Sequence, residues 1–232
     1  MENRHDLPAA APAAAPAIAP PAGPETQERH SVLHGLAQDP GNRGRIMLEA
    51  ARLFTRKGFA ATSVREIVEA AGVTKPTLYY YFKSKDDLFL SILDFAVTSY
   101  IAALDQGLAA PGGARQQARA FVCSVFELLA GNVDILRFVH AAFYGPVEST
   151  PRYDLRPAHE MLHERLNQLL AGLAAESGLA PADTPALILL LHGLIEAIQC
   201  QLMKPEFGPL DQAQVAHCVD VLLDGALSRV AR

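Results

Sequence analysis

The run His159-Glu160-Met161-Leu162-His163 spells H-E-x-x-H, a pattern able to hold zinc and hydrolyse peptides. On a helix its two histidines lie one turn apart on one face. Both imidazoles then reach a single ion, with Glu160 placed as general base. The chemistry needs a third ligand, and the flanking sequence does not supply an obvious one. Leu166 stands where the extended form of the motif has glycine, and no histidine follows at the required spacing. Glu176 is too close along the chain to be a natural partner, which leaves Glu196. Peptide cleavage also calls for a strand-lined cleft, and no stretch here alternates as a strand does. A regulatory metal site built from His159, His163 and either His140 or His192 is a second reading. The simplest expectation is two ordinary surface or pocket histidines, with no metal, no cofactor and no catalytic residue.

A second constellation, within Thr62–Leu93, is built for binding. Lys75, Thr77, Tyr79, Tyr80 and Tyr81 surround Leu78 and Phe82, which stand four apart and so share one side of a helix. Leu78 and Phe82 face a core with Ile67, Val68 and Ala71, while the hydroxyls and the amine project outward. Three adjacent tyrosines are costly to expose unless something binds them. On a helix in the major groove, hydroxyls reach phosphates and base edges, and rings meet thymine methyls and sugars. Packing of Tyr81 against a neighbouring domain is an equally good reading of that one ring.

The elements that must position these side chains are signalled residue by residue. Ser63 caps a first short helix, with Glu66 three residues on completing a capping box. Gly72 gives the backbone freedom for a tight turn, Thr74 caps the second helix, and Pro76 lies in its first turn, where a missing N–H costs nothing. Ser84, with Asp87 three residues later, caps the helix that follows. Two short helices joined by a glycine turn form a helix-turn-helix.

Ala51, Phe54, Gly58, Phe59, Ile67, Ala71-Gly72-Val73, Thr77-Leu78-Tyr79, Tyr81-Phe82 and Ser84-Lys85 stand at many fixed spacings. Over about Arg43 to Leu93 the chain thereby resembles the DNA-binding domain of the TetR family of bacterial transcriptional repressors. The departure is Val68, where the family usually has alanine, a change that shifts packing only slightly. Residue by residue, the resemblance implies that Arg65 reaches a base edge or phosphate. Thr74, Lys75, Pro76 and Thr77 open the recognition helix against the bases. Tyr79 and Tyr80 contact backbone or thymine methyls, and Lys85 clamps a phosphate.

Charge agrees with that partner. Residues 43–93 hold nine basic and five acidic residues, a balance of +4, whereas residues 1–42 carry −3 and residues 94–232 carry −6. The whole chain is acidic, at −5, yet only the local potential meets a phosphate backbone.

The remaining composition bounds the architecture. With 232 residues, half of them hydrophobic, the chain can bury two domains. No run of about 18 uncharged apolar residues suggests a membrane span, Ala186–Ile195 being the best candidate. Cys123, Cys200 and Cys218 read as buried free thiols of a cytoplasmic protein. The prolines among the first 24 residues predict a disordered tail over 1–40, with a short helix at Glu25–Gln38.

Beyond Phe95, glycine and proline punctuation divides the chain into helices near 84–109, 114–130, 133–144, 155–177, 183–204 and 210–230. With a helix near 44–57 and the two short ones, about nine helices are expected in an all-α fold. The expected division is a DNA-binding domain over 41–93 and a ligand-binding and dimerisation domain over 94–232. The helices near 183–204 and 210–230 are apolar over most of their circumference. Leu187, Leu191, Leu194, Ile198, Val215, Val219 and Leu222 are the expected dimer interface. The resemblance implies the same pairing, as a four-helix bundle, so that two recognition helices meet a near-palindromic double-stranded operator. It also implies a small-molecule cavity in the second domain, with Phe126, Phe138, Phe143, Tyr144, Met161, His192, Gln199 and Met203 as candidate lining residues.

Overall fold

The computed structural model describes residues 41–144, 150–177, 183–204, 206 and 208–227. The expected tail, its helix at Glu25–Gln38, and the breaks at Gly145-Pro146 and Gly178–Pro181 lie outside the described residues. Among the described residues there are nine helices and no strand. They are α1 (Asn42–Lys57), α2 (Val64–Ala71), α3 (Lys75–Tyr81), α4 (Lys85–Leu108), α5 (Ala114–Ala130), α6 (Val133–Tyr144), α7 (Arg156–Ser177), α8 (Thr184–Met203) and α9 (Gln212–Leu227).

Helices α2, α3 and α4 begin where local chemistry directs. The Ser63 hydroxyl accepts from the Glu66 amide at 3.3 Å, and the Glu66 carboxylate accepts from the Ser63 amide at 2.9 Å, closing the capping box of α2. Gly72 follows in the left-handed region at φ +62°. Nothing lies within 4 Å of where its Cβ would be, so backbone conformation, not space, demands glycine there. Thr74 caps α3 through the Thr77 amide, and Ser84 caps α4 through the Asp87 amide at 3.0 Å. Each such cap contributes roughly 1 kcal/mol.

Two apolar cores follow. One gathers Ile46, Ala50 and Phe54 of α1, Ile67 and Val68 of α2, Leu78 of α3 with Phe82, and Leu88, Phe89, Ile92 and Leu93 of α4. The other gathers Leu104 of α4, Phe121 and Val125 of α5, Leu166, Leu169 and Leu173 of α7, and the inner residues of α8 and α9. Helix α4 runs through both cores. Its apolar side meets α5 closely: a Cβ on Gly107 would stand 2.3 Å from the Phe121 Cα. Helices α4 and α8 are long and apolar enough to cross a membrane, a property that a search for uninterrupted uncharged residues misses. The apolar residues of α4 are nevertheless committed to these two cores.

The last two helices correct the expected interface. Leu187, Leu191 and Ile198 of α8, with Val215 and Val219 of α9, are buried in the chain's own core, where a second subunit cannot reach them. Leu194 and Leu222 are only half-buried. The apolar residues left outward are Leu189, at 72% exposure, Leu190 and Val221. A helix apolar all round reveals that it has two partners but not which side each takes. Cys123 is buried as expected, while Cys200 and Cys218 are exposed on these same helices; all three are free thiols. Paired ions fix α9 against α5: Arg119 makes two bonds to Asp220, at 2.5 and 2.7 Å, and Arg115 reaches Asp224 at 2.6 Å.

Candidate functional site

Helix α3 stands on Leu78, which is fully buried, and presents its other side to solvent. Tyr80 is 82% exposed and Tyr79 51%. Lys75 and Pro76 open the helix, both exposed. The Tyr81 ring lies edge-on against Tyr80 with centroids 4.9 Å apart, which preorders two of the three rings. Thr74 and Thr77 are less free than their types suggest, because their hydroxyls hold each other at 2.9 Å while Thr74 caps the helix.

Two of the basic residues are already engaged. Arg65 is exposed, and its guanidinium bonds Glu69 one turn on at 2.7 Å, a pairing that raises its pKa. A phosphate or base edge would have to share that guanidinium. Lys85 departs further from its expected role as a phosphate clamp. Its ammonium donates to the Phe59 carbonyl at 2.8 Å and the Thr62 carbonyl at 2.9 Å, and it lies over the Phe59 ring at 4.1 Å. Two of its three protons thus tie the start of α4 to the α1–α2 connection. The capping box is braced in a similar way: Lys57 pairs with Glu66, and with the Ser63 amide this lowers the Glu66 carboxyl to about 2.

The second feature is a partly open cavity of about 390 Å³ lined by α4, α5, α6, α7 and α8. Of the expected lining, Phe143, Tyr144, His192 and Gln199 do face it. The other four are placed elsewhere. Phe126 is buried in the body core, and Met161 and Met203 pack against that core. Phe138 points into the other core, stacked on Phe54 at 5.9 Å and edge-on to Phe89 at 4.7 Å. An aromatic or methionine in an apolar helix announces burial but not its direction. Residues outside the expected lining, Tyr100, Asn132, His140, His159 and Glu196, complete the polar part of the wall. Among the described residues the wall holds no lysine or arginine. Among the described residues Glu196 is its one carboxylate; burial, then Glu196, pushes the Tyr100 hydroxyl up, whereas for Tyr144 Glu196 is the larger cause.

At one edge of this cavity the H-E-x-x-H run is resolved. His159 and His163 on α7 bring their Nε2 atoms to 3.1 Å. His192 on α8 joins them, its ring 5.4 Å from His159 and 6.0 Å from His163. One ligand atom from each of the three falls within 4.8 Å of the others. Burial, then His159 and His192, holds His163 below the usual imidazole range. Glu176 serves another purpose, accepting from the Ala114 amide at 2.7 Å at the start of α5. His140 packs against Tyr144 instead of joining the cluster.

A small helical head with an exposed short helix α3 is joined to a helical body that holds a cavity. Residues 46–92 match the family described as bacterial regulatory proteins, tetR family. The chain is 34% identical over 87 residues to the HTH-type transcriptional activator FasR of Mycolicibacterium smegmatis, a match covering 38% of this chain and 40% of that relative. Two solved structures share the fold. The TetR family regulator PfmR from Thermus thermophilus has a TM-score of 0.60 and 24% identity, covering 77% of this chain and 97% of its own. The regulator FadR from Bacillus subtilis, solved in complex with stearoyl-CoA, has a TM-score of 0.60 and 21% identity, covering 78% and 97%. Over residues 46–92 the head is thus similar to the TetR family of bacterial regulatory proteins. The matched stretches of the curated relatives span less than two thirds of their lengths.

Proposed function

We propose that this chain is a homodimeric, sequence-specific DNA-binding regulator of the cytoplasm, a repressor whose hold on a near-palindromic operator is released by a small molecule in the body cavity. The observation that carries the reading is α3, a capped and internally braced helix whose exposed side holds Lys75, Tyr79 and Tyr80 above a fully buried Leu78. That arrangement suits the major groove, where the amine and hydroxyls meet phosphates and base edges. Lys85 acts mainly as a brace for the head, with one proton left for a phosphate.

Helix α6 is the natural transmitter. Its Phe138 is wedged against Phe54 and Phe89 of the head, and its Val139, His140 and Phe143 line the cavity. A molecule that displaces α6 has differential contacts with two arrangements of the head, as ligand control requires. An amphipathic molecule with a long apolar part fits the predominantly apolar wall, a reading supported by the acyl-CoA held in the FadR neighbour. Leu189, Leu190 and Val221 are the apolar residues offered to a second subunit.

Selection of bound sequences from a random duplex pool tests the reading. A palindrome should be recovered, and its affinity should fall steeply with salt. Tyr80→Ala should weaken binding without loss of thermal stability. Arg65→Ala should relax specificity at one base position by on the order of ten- to a hundredfold. Absence of any enriched sequence at low and moderate salt would reject the proposal.

A further inference from the structure

We propose that His159, His163 and His192 form a binding site for a divalent transition-metal ion of the zinc class, set in the wall of the cavity. The geometry is close to that of a bound site. In a tetrahedral zinc site with Zn–N of about 2.0–2.1 Å, neighbouring nitrogens stand about 3.3 Å apart. The His159 and His163 Nε2 atoms are at 3.1 Å, already near that edge length. All three donor atoms lie within 4.8 Å of one another, so small rotations of half-exposed rings complete the triangle.

The elements make this convergence durable. His159 and His163 are one turn apart on α7, so their relative placement is set by the helix. His192 comes from α8, whose Leu191 and Ile195 share one core with Leu162, Leu166 and Leu169 of α7. Three imidazoles with no thiolate or ligating carboxylate among them select zinc, cobalt, nickel or copper over calcium and magnesium. Glu196 lies 3.7 Å from the His192 Nε2, near enough to steady that ring. Glu160 is exposed and stands outside the donor triangle.

His159 and His192 also line the cavity. An ion held there places a cation in a wall that has no lysine or arginine among its described residues, and an open position on it accepts a carboxylate oxygen. This second step rests on the effector reading above; the metal site itself does not.

The test uses the full chain, freed of metal with a chelator and titrated with Co²⁺. One ion per chain should bind, with the visible absorption of a low-coordinate nitrogen site, and Zn²⁺ should displace it. Single changes His159→Gln, His163→Gln and His192→Gln should each weaken binding by at least about 100-fold, the upper end of what even outer-shell losses cost. Glu160→Gln should leave affinity unchanged. All four positions lie outside the fully buried core, and unchanged circular dichroism will verify folding. Wild-type affinity no better than millimolar, or binding indifferent to the three histidine changes, overturns the site.

Zinc-loaded protein should bind dodecanoate at least tenfold more tightly than dodecanol, and His163→Gln should erase that preference. Equal binding by the loaded protein overturns the open-position role. Sequence-selective DNA binding without cobalt binding removes the metal site and keeps the regulator. Cobalt binding without sequence-selective DNA binding does the reverse.

Discussion

The head and the body of this molecule are both helical, yet their order comes from different sources. In the head, short helices of 8 and 7 residues are too short to persist alone. They are held by named devices: a capping box, a left-handed glycine, two further caps, and Lys85 bonded to two carbonyls. In the body, helices of 17 to 24 residues such as α4, α5 and α7 are set by apolar packing, with few side-chain caps. Local devices act at fixed sequence spacing. Packing does not, because an apolar residue can point to several neighbours.

The strongest way to break the contrast is Phe138, which belongs to a body helix but lies in the head's core at 6% exposure. Phe138→Ala should cost about 3–5 kcal/mol, measured by denaturant unfolding. It should also blunt any response of DNA binding to a cavity ligand. Gly107→Ala comes next, since the added methyl meets the Phe121 backbone; a loss of about 3 kcal/mol is expected from forced separation of α4 and α5. In the head, Gly72→Ala should cost about 1 kcal/mol through backbone strain alone, because the space is open. On the outer face of α8, Leu189→Glu should leave chain stability within about 0.5 kcal/mol. The same change should shift sedimentation from dimer to monomer and with it abolish binding to a two-half-site operator.

The smallest effect concerns pH. The Glu66 carboxyl, held at about 2 by Lys57 and the Ser63 amide, contributes stability that is present above its ordinary value near 4.5 and lost as pH falls towards 2. Wild-type and Glu66→Gln proteins should therefore differ in thermal midpoint at pH 6 and converge near pH 2.

Much of the fold was legible from residue types. The helix limits drawn from glycine and proline punctuation fall within about two residues of those found for α4 to α8, and the caps at Ser63, Thr74 and Ser84 are where the spacing placed them. The candidate sites were legible unequally. Exposed Lys75, Tyr79 and Tyr80 needed only a helical period and a buried Leu78. Half of the expected cavity lining was misplaced, because Phe126, Phe138, Met161 and Met203 have the right chemistry but point elsewhere.

What the sequence by itself determined is therefore what depends on near neighbours: the nine helices described, their caps, the exposed face of α3 and the positive balance of residues 43–93. Only the tertiary structure decided what depends on distant segments meeting. It buried Leu187, Leu191 and Val219 within the chain and left Leu189 outside. It occupied Lys85 with Phe59 and Thr62, 26 and 23 residues away. It brought His192 to the pair that one turn of α7 had already joined. Spacing along a helix fixes which side chains share a face; the partner that face meets depends on how the helices pack, and no local pattern encodes that choice.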